Sequence, residues 1–460
     1  MVWDAVVLGT GSGGKLAATG LAEQGLRVLA LDPGLFGGEC PYLACVPSKA
    51  LLLAAHAGLG WAEAVRRRDE LTDARDDGAS RTSLEDAGVT TARARGVLVA
   101  DGEGGHRVRL TDRVDGDATD VDDEVAARLV VLGVGSEASV PPIDGLDEVP
   151  FWTSDDALST TEQPASLAII GGGAIGCELS QAFALLGTRV SLVEVFDRLL
   201  SKEAEWVGPL LADQLREDGV DLRIGVKPDR VEVAGSGIRV RLEDGTSLEA
   251  DRLLVAGGRT GRAAGLGLEA LGVEPNDHGQ VPVDARCRVL DGSGEVVPGL
   301  YAVGDVTPDS AYTHSANHQA RVVAAEVAGH GYDADYSADP RAVYTEPTVF
   351  CVGVTPDQAQ DQGLPVRRFG LDLSDVERGA IVAETTSADG ERPVRGRVEV
   401  LLDPDAGVLV GAACVGPAAD AWGGELALAI RARVPLTTLQ HHIRAFPTWS
   451  EAITAALPKD

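Results

Sequence analysis

The sequence predicts an α/β protein with two Rossmann-like domains and a smaller C-terminal α+β domain. Residues 2–32 and 165–194 each show an apolar strand, a glycine-rich turn, a helical pattern and a second strand, which together form a βαβ unit. From about residue 339, strands and helices alternate without this repeat. A chain of 460 residues is long enough for two to four domains.

The first glycine-rich turn fits the pattern G-x-G-x-x-G at Gly9, Gly11 and Gly14. In this motif the first glycine permits a tight turn, and the second lets the backbone approach a pyrophosphate. The third glycine lets the helix pack closely on the strand. Asp32, at the end of the next strand, can accept a hydrogen bond from a ribose hydroxyl. This context predicts dinucleotide binding, with a ligand-free glycine turn as the alternative.

The second βαβ unit repeats the motif at Gly171, Gly173 and Gly176, with Glu194 as the acidic residue. A carboxylate at this position repels a 2′-phosphate and hydrogen-bonds a free 2′-hydroxyl, so NADH is favoured over NADPH. Arg198 lies close enough in sequence to leave NADPH open.

The remaining elements follow from periodicity and from turn residues. The predicted strands are 3–8, 27–31, 189–193, 300–303, 398–402 and 408–415, with a β-meander over 91–132 that includes Asp-rich loops at 111–124. The predicted helices are 14–24, 47–55, 176–186, 315–329, 423–432 and 450–456, with an exposed helical stretch over 61–90 and a linker at 140–145.

The charge and hydropathy of the chain exclude some classes of partner. With 71 acidic and 40 basic residues the net charge is −31, which argues against nucleic acid or an anionic membrane surface as the main partner. No apolar run approaches the ~18 residues of a membrane span, and the first strand follows the N-terminus without a basic segment. We therefore expect a soluble, cytoplasmic protein.

Cys40 and Cys45 are the most informative residues of the chain. They are separated by four residues at the start of a predicted helix, where the helix dipole favours a thiolate. A pair that can close into a disulfide beside a bound redox cofactor is a two-electron relay. A structural disulfide, a zinc site and two inert core thiols are the alternatives. The other cysteines, Cys177, Cys287, Cys351 and Cys414, are predicted to pack in the core.

Together these segments resemble the flavoprotein disulfide reductase family, the class I pyridine nucleotide-disulfide oxidoreductases, and most closely its dihydrolipoamide dehydrogenase and mercuric reductase members. The resemblance rests on both glycine motifs, the cysteine segment ending in Pro-Ser-Lys at 47–49, the segment 301–305, and the segment 446–451. It implies an FAD-binding domain (1–148 and 269–338) interrupted by an NAD(P)H-binding domain (149–268), then a dimerisation domain (339–460) and a homodimer.

The resemblance also implies roles for individual residues. The implied FAD ligands are Gly9, Gly11, Gly14, Asp32, Gly304, Asp305 and His314, and the implied NAD ligands are Gly171, Gly173, Gly176 and Glu194. Cys45 resembles the thiol that faces the flavin, and Cys40 the thiol that attacks the substrate. Lys49 and Glu178 resemble the ion pair beside the flavin N5.

One position departs from the family pattern. Relatives carry a catalytic His where this chain has Phe446, although the Glu that follows it is kept as Glu451. Phe cannot carry a proton, and a positioned acid–base contributes roughly a hundred- to ten-thousand-fold to rate. His441 and His442 can replace the missing His only if the chain bends them toward Cys40.

Three functions therefore stay open at this point. The first is an NADH-dependent FAD enzyme that passes two electrons through the Cys40–Cys45 disulfide to a small disulfide-type acceptor. The second is a reductase of quinones, oxygen or another non-disulfide acceptor. The third is a non-catalytic FAD-binding scaffold, against which the retained Cys40, Cys45, Lys49 and Glu178 argue.

Overall fold

The computed structural model describes residues 2–99, 105–114, 121–309, 311–386 and 394–459. Within these ranges the chain forms two compact units. The first comprises Met1–Pro47, Arg66–Ser139 and Gly258–Asp335, and the second comprises Ser48–Val65, Val140–Gly257 and Tyr336–Asp460. Each unit contains one of the two βαβ segments, and no described helix is long and apolar enough to cross a membrane.

The first unit is built on a mainly parallel sheet. Its described strands, in spatial order, are Arg288–Leu290, Val296–Ala302, Glu124–Leu132, Val2–Leu8, Val28–Leu31 and Thr90–Ala92. His106–Thr111 pairs antiparallel with Glu124–Leu132, and Arg95–Val99 pairs antiparallel with His106–Thr111. Along the central strand Val2–Leu8, Ala5 and Val7 enter one hydrophobic cluster, whereas Val6 and Leu8 enter another. A strand covered on both faces explains the continuous apolar run.

Helices cover this sheet, and short strands close the unit where the chain leaves it. The helices are Ser12–Glu23, Glu39–Tyr42, Gly78–Asp86 and Thr313–Val327, with 3-10 turns at Asp73–Arg75, Leu268–Leu271 and Gly304–Val306. Ser136–Ala138 pairs antiparallel with Arg259–Gly261, immediately before the chain exits at Ser139 and after it returns at Gly258. The helices Cys45–His56 and Trp61–Leu71 contain residues of both units.

The second unit holds a parallel sheet and two antiparallel sheets. The parallel strands are Asp221–Ile224, Arg189–Glu194, Ser166–Ile170 and Arg252–Val255, in that spatial order. One antiparallel sheet is Pro228–Ala234, Gly237–Leu242 and Ser247–Ala250, and the other is Pro340–Val343, Thr348–Gly353, Val408–Gly416, Arg397–Asp403 and Arg367–Asp372. The helical segments are Leu146–Glu148, Ser154–Ser159, Ala174–Leu185, Val207–Glu217, Pro356–Asp361, Leu373–Asp375, Glu377–Thr386, Ala419–Arg431, Leu436–Gln440 and Glu451–Ala456.

The predicted α/β fold class is confirmed, but three local predictions were wrong. The helix after the cysteines begins at Cys45 rather than at residue 47, because a proline is tolerated in the first turn of a helix. The stretch 61–90 is split by positive φ angles at residues 73–75. Thr90–Ala92 pairs parallel with Leu29–Leu31 instead of starting the meander. Part of the Asp-rich segment predicted as loops, 115–120, lies outside the described residues.

Candidate active site

The first glycine turn combines tight packing with one open position. Gly9 has φ +88°, and a Cβ at Gly14 would lie 2.0 Å from the Gly9 carbonyl oxygen, so both positions need glycine. A Cβ at Gly11 would meet nothing within 4 Å. The open backbone at Gly11 lies at the start of the helix Ser12–Glu23, where unpaired N–H groups favour an anion. These residues fit the pyrophosphate of a dinucleotide.

Asp32 connects the end of its own strand to this turn through Thr10. Its Oδ2 accepts hydrogen bonds from the Thr10 backbone N–H (2.7 Å) and the Thr10 hydroxyl (2.8 Å). Its Oδ1 accepts from the Gly34 N–H at 2.9 Å. The carboxylate is therefore fixed at the end of its strand, beside the glycine turn, where the sequence placed the ribose ligand. Thr10 was not predicted as a site residue.

The second glycine turn has the same construction. Gly171 has φ +114°, and a Cβ at Gly176 would lie 1.9 Å from the Gly171 carbonyl oxygen. Gly173 is open, since a Cβ there would meet nothing within 4 Å. Glu194 is buried and accepts hydrogen bonds from the backbone N–H groups of Gly172 (2.5 Å) and Phe196 (2.8 Å). This arrangement fits a second dinucleotide.

Arg198 is the residue that kept NADPH as an alternative cofactor, and its side chain is held by contacts with nearby residues. Its guanidinium donates to the Ser201 carbonyl at 3.0 Å and lies 3.3 Å from an Asp197 oxygen and 3.5 Å from an Asp357 oxygen. Only 20% of the Arg198 side chain is exposed. These contacts support the preference for NADH over NADPH.

Cys40 and Cys45 share one hydroxyl group. Cys40 lies in the short helix Glu39–Tyr42, and Cys45 is the first residue of the helix Cys45–His56; the two are not joined by a disulfide in this structure. The hydroxyl of Thr313 donates to Cys40 Sγ at 3.3 Å, and its Oγ1 lies 3.7 Å from Cys45 Sγ. Thr313 is the first residue of the helix Thr313–Val327 and was missed from the sequence.

The proton of Cys40 is held by its surroundings. Its hydrogen bond to Cys45, together with burial, raises the pKa of Cys40 above its ordinary value, whereas the Thr313 hydrogen bond lowers it. The dithiol is thus a hydrogen-bonded pair in which Cys40 keeps its proton until a partner helps to remove it. The remaining cysteines, Cys177, Cys287, Cys351 and Cys414, are at most 1% exposed, as predicted for core thiols.

Among the described residues no group of three His, Cys, Asp or Glu side chains is placed to hold a metal ion.

Lys49 and Glu178 form the predicted ion pair. Lys49 Nζ lies 2.6 Å from Glu178 Oε2, and the Glu178 side chain is 8% exposed. Tyr344 contacts both members of this pair: its backbone N–H donates to Glu178 Oε1 at 2.9 Å, and its ring centroid lies 4.6 Å from Lys49 Nζ. Tyr344 was also missed from the sequence. Lys49 follows Cys45 by one turn in the same helix.

Asp305 and its neighbours lie where the sheet of the first unit ends. Gly304 has φ +79°, and its N–H donates to the Gln319 side chain at 2.6 Å. Asp305 Oδ2 accepts a hydrogen bond from the Ser136 hydroxyl at 2.6 Å. The ring of His314 stacks on Tyr312 with centroids 5.3 Å apart and is largely exposed.

The C-terminal candidates belong to the second unit, whereas Cys40 and Cys45 belong to the first. Glu451 Oε2 accepts from the Thr448 backbone N–H at 3.2 Å and so closes the turn before its helix. Phe446 is 70% exposed. His441 and His442 are exposed as well.

Comparisons with known proteins agree with this site. Residues 3–329 match the pyridine nucleotide-disulphide oxidoreductase family, and residues 339–457 match its dimerisation domain. The dihydrolipoyl dehydrogenase of Halobacterium salinarum is 33% identical over 98% of this chain and 95% of its own length. That of Bacillus subtilis is 29% identical over 98% and 97%. The HOCl-induced flavoprotein disulfide reductase RclA of Escherichia coli matches with a TM-score of 0.84 at 25% identity, covering 99% of both chains.

The chain belongs to the pyridine nucleotide-disulphide oxidoreductase family. It is an NAD(P)H-dependent FAD oxidoreductase acting on sulfur groups, similar to dihydrolipoamide dehydrogenase, and the predicted resemblance is confirmed. Its cofactors are FAD and NAD(H). The comparisons do not favour quinone, oxygen or scaffold functions. The C-terminal match indicates a homodimer.

Proposed function

We propose that Cys40 and Cys45 are the redox-active pair of this enzyme and that the final acceptor is a small disulfide. The observation that carries the proposal is the shared Thr313 hydroxyl, which lies 3.3 Å from Cys40 Sγ and 3.7 Å from Cys45 Sγ within the unit that holds the first glycine turn. Inert core thiols need no such donor, and the four other cysteines are fully buried instead.

The glycine turns supply the cofactor sites. We assign FAD to Gly9, Gly11, Gly14 and Asp32, with Gly304, Asp305 and His314 toward its flavin end. We assign NAD to Gly171, Gly173, Gly176 and Glu194. When bound, FAD accepts a hydride from NADH and supplies two electrons to a disulfide. The open backbone at Gly11 and at Gly173 supports these assignments.

The side chains then divide the sulfur chemistry between them. Cys40 attacks the acceptor disulfide, which forms a mixed disulfide and releases the first acceptor thiolate. Cys45 attacks Cys40 Sγ, which releases the second thiolate and closes the Cys40–Cys45 bond. The Lys49–Glu178 pair is assigned to the flavin edge, where a buried, neutralised carboxylate keeps the ammonium in place.

Proton transfer to the leaving thiolates is the step that Phe446 affects most. Phe446 replaces the family's base, and Glu451 is engaged with the Thr448 backbone, so the leaving thiolates take protons from solvent. We infer an acceptor whose product thiols have low pKa values, or a role of the enzyme for which slow turnover is enough. The apolar Phe446, exposed at 70%, suits an acceptor with a hydrophobic body.

The same proposal sets the domain boundaries. We assign residues 1–148 and 269–338 to the FAD domain, 149–268 to the NAD(P)H domain, and 339–460 to dimerisation. The cytoplasmic location stays a prediction.

Anaerobic titration with NADH tests the redox pair. The proposal expects two-electron-reduced enzyme with two new titratable thiols and a long-wavelength absorption band from the Cys45 thiolate beside the bound flavin. Cys45→Ser abolishes the band and the NADH-dependent gain of two thiols, because Cys40 is then a thiol before and after reduction. Cys177→Ser, at a buried core position, leaves the band and the gain of thiols intact. Loss of flavin colour after two electrons, without new thiols, would contradict the proposal.

A further inference from the structure

Glu39, the residue before Cys40, forms salt bridges with two arginines. It is the first residue of the short helix Glu39–Tyr42 that carries Cys40. Its Oε2 accepts a hydrogen bond from Arg259 Nη2 at 2.5 Å, and its Oε1 accepts one from Arg262 Nη2 at 2.9 Å. Both carboxylate oxygens are used, and the Glu39 and Arg259 side chains are each only 22% exposed. We call this arrangement the Glu39 clamp.

The clamp attaches the cysteine turn to the two-stranded ribbon of the first unit. Arg259 begins the strand Arg259–Gly261, which pairs with Ser136–Ala138. Its Nε donates to the Ser136 hydroxyl at 2.7 Å, and its Nη2 also donates to the Ser136 carbonyl at 2.9 Å. The Ser136 hydroxyl in turn donates to Asp305. A continuous chain of hydrogen bonds therefore runs from Glu39 to Asp305.

We propose that Glu39 is a positioning residue for Cys40: its clamp holds the cysteine turn on the ribbon and so favours closure of the Cys40–Cys45 disulfide. The inference rests on the proposed redox role of the pair. Closure joins the two Sγ atoms and removes two electrons and two protons from the thiols. Its equilibrium depends on how often the sulfurs meet, so a turn held in place raises their effective concentration.

The clamp acts through geometry rather than through charge. Two guanidinium groups neutralise the carboxylate, and charge-assisted pairs of this kind are directional. The influences on the pKa of Cys40 are its hydrogen bond to Cys45, burial and the Thr313 hydrogen bond, and Glu39 is not among them. The contacts of Glu39 with Arg259 and Arg262 therefore act on Cys40 by fixing its position.

The chain provides a matched control on the same ribbon. Glu137 lies 3.9 Å from Arg262, as a second acid near the clamp, but its side chain is 64% exposed and it is not on the cysteine turn. Glu39→Gln and Glu137→Gln remove the same charge. Only the first releases the turn.

The test is the equilibrium of the oxidised holoenzyme with mixtures of reduced and oxidised dithiothreitol. After acid quenching and alkylation, the mass of the 40–45 peptide gives the fraction of closed pair. Dithiothreitol supplies and takes up the two electrons and two protons. Glu39→Gln is expected to shift the midpoint toward the dithiol by about tenfold, which is about 30 mV for a two-electron couple. Glu137→Gln is expected to match the unsubstituted enzyme.

Arg262→Gln removes half of the clamp and is expected to shift the midpoint in the same direction by a smaller amount. It keeps the test decisive if Glu39→Gln fails to fold. Equal midpoints for Glu39→Gln and Glu137→Gln overturn the inference. If Glu39→Gln cannot be made, an Arg262→Gln midpoint equal to that of the unsubstituted enzyme overturns it as well. A failure of the proposed redox function is separate: unsubstituted enzyme would then expose no new thiols with NADH.

Discussion

Thr313 donates a hydrogen bond to Cys40 Sγ at 3.3 Å, from the first turn of the helix Thr313–Val327. The same oxygen lies 3.7 Å from Cys45 Sγ. A hydroxyl has one proton to donate, so it can support only one sulfur at a time. In a chain with Phe446 at the family's catalytic His position, this hydroxyl is a group that can stabilise negative charge on Cys40 directly.

Removing the hydroxyl is expected to make Cys40 less reactive. The Thr313 hydrogen bond lowers the pKa of Cys40, so Thr313→Val raises that pKa and leaves less thiolate at any given pH. Hydrogen bonds to charged groups contribute about 1.5 kcal/mol or more, so we expect iodoacetamide to alkylate Cys40 about tenfold more slowly in the reduced enzyme. The plot of log rate against pH moves about one pH unit to higher pH.

Two variants control this experiment. Thr313→Ser keeps the hydroxyl and is expected to react at nearly the unsubstituted rate. Thr111→Val makes the same change on the strand His106–Thr111, where the hydroxyl donates to the Arg95 carbonyl, and is expected to leave the alkylation rate unchanged. Alkylation of Thr313→Val at the unsubstituted rate would show that the hydrogen bond does not reach the reacting sulfur.

The parts of this fold that are local in sequence were predicted well. Both βαβ units begin and end within two residues of their predicted bounds, because a buried strand and a glycine turn are patterns of neighbouring residues. The core positions of Cys177 and Cys414 followed from their isolation in the sequence.

The contacts that complete the site are distant in sequence and were missed. Thr313 and Cys45 are 268 residues apart, and Arg259 and Glu39 are 220 apart. A single threonine or arginine carries no pattern that marks its partner, since its role arises only when the sheet brings separate segments together. Tyr344 escaped notice for the same reason: it contributes a backbone N–H and a ring face to Glu178 and Lys49.

Restoring the family's base is expected to speed disulfide reduction. Phe446 is 70% exposed, so Phe446→His costs little stability. A positioned base contributes roughly a hundred- to ten-thousand-fold, and we expect at least a tenfold gain in kcat/KM with lipoamide. The pH profile should also acquire an ionisation near the His value of about 6.5.

Phe446→Leu is the control, because it changes the side chain without adding a proton carrier. If Phe446→His and Phe446→Leu reduce lipoamide equally, proton transfer at position 446 does not limit the reaction, and the result argues against a disulfide acceptor.

The choice of nicotinamide nucleotide should depend on Glu194 and not on Arg198. Glu194 is buried at the end of its strand with both oxygens bound to backbone N–H groups, and a fixed carboxylate repels a 2′-phosphate. Steady-state kinetics are therefore expected to give NADH a kcat/KM about a hundredfold above that of NADPH. Arg198→Ala should preserve the ratio, since Ser201, Asp197 and Asp357 already engage the guanidinium. A selective loss of NADPH oxidation in Arg198→Ala would instead identify Arg198 as a phosphate ligand.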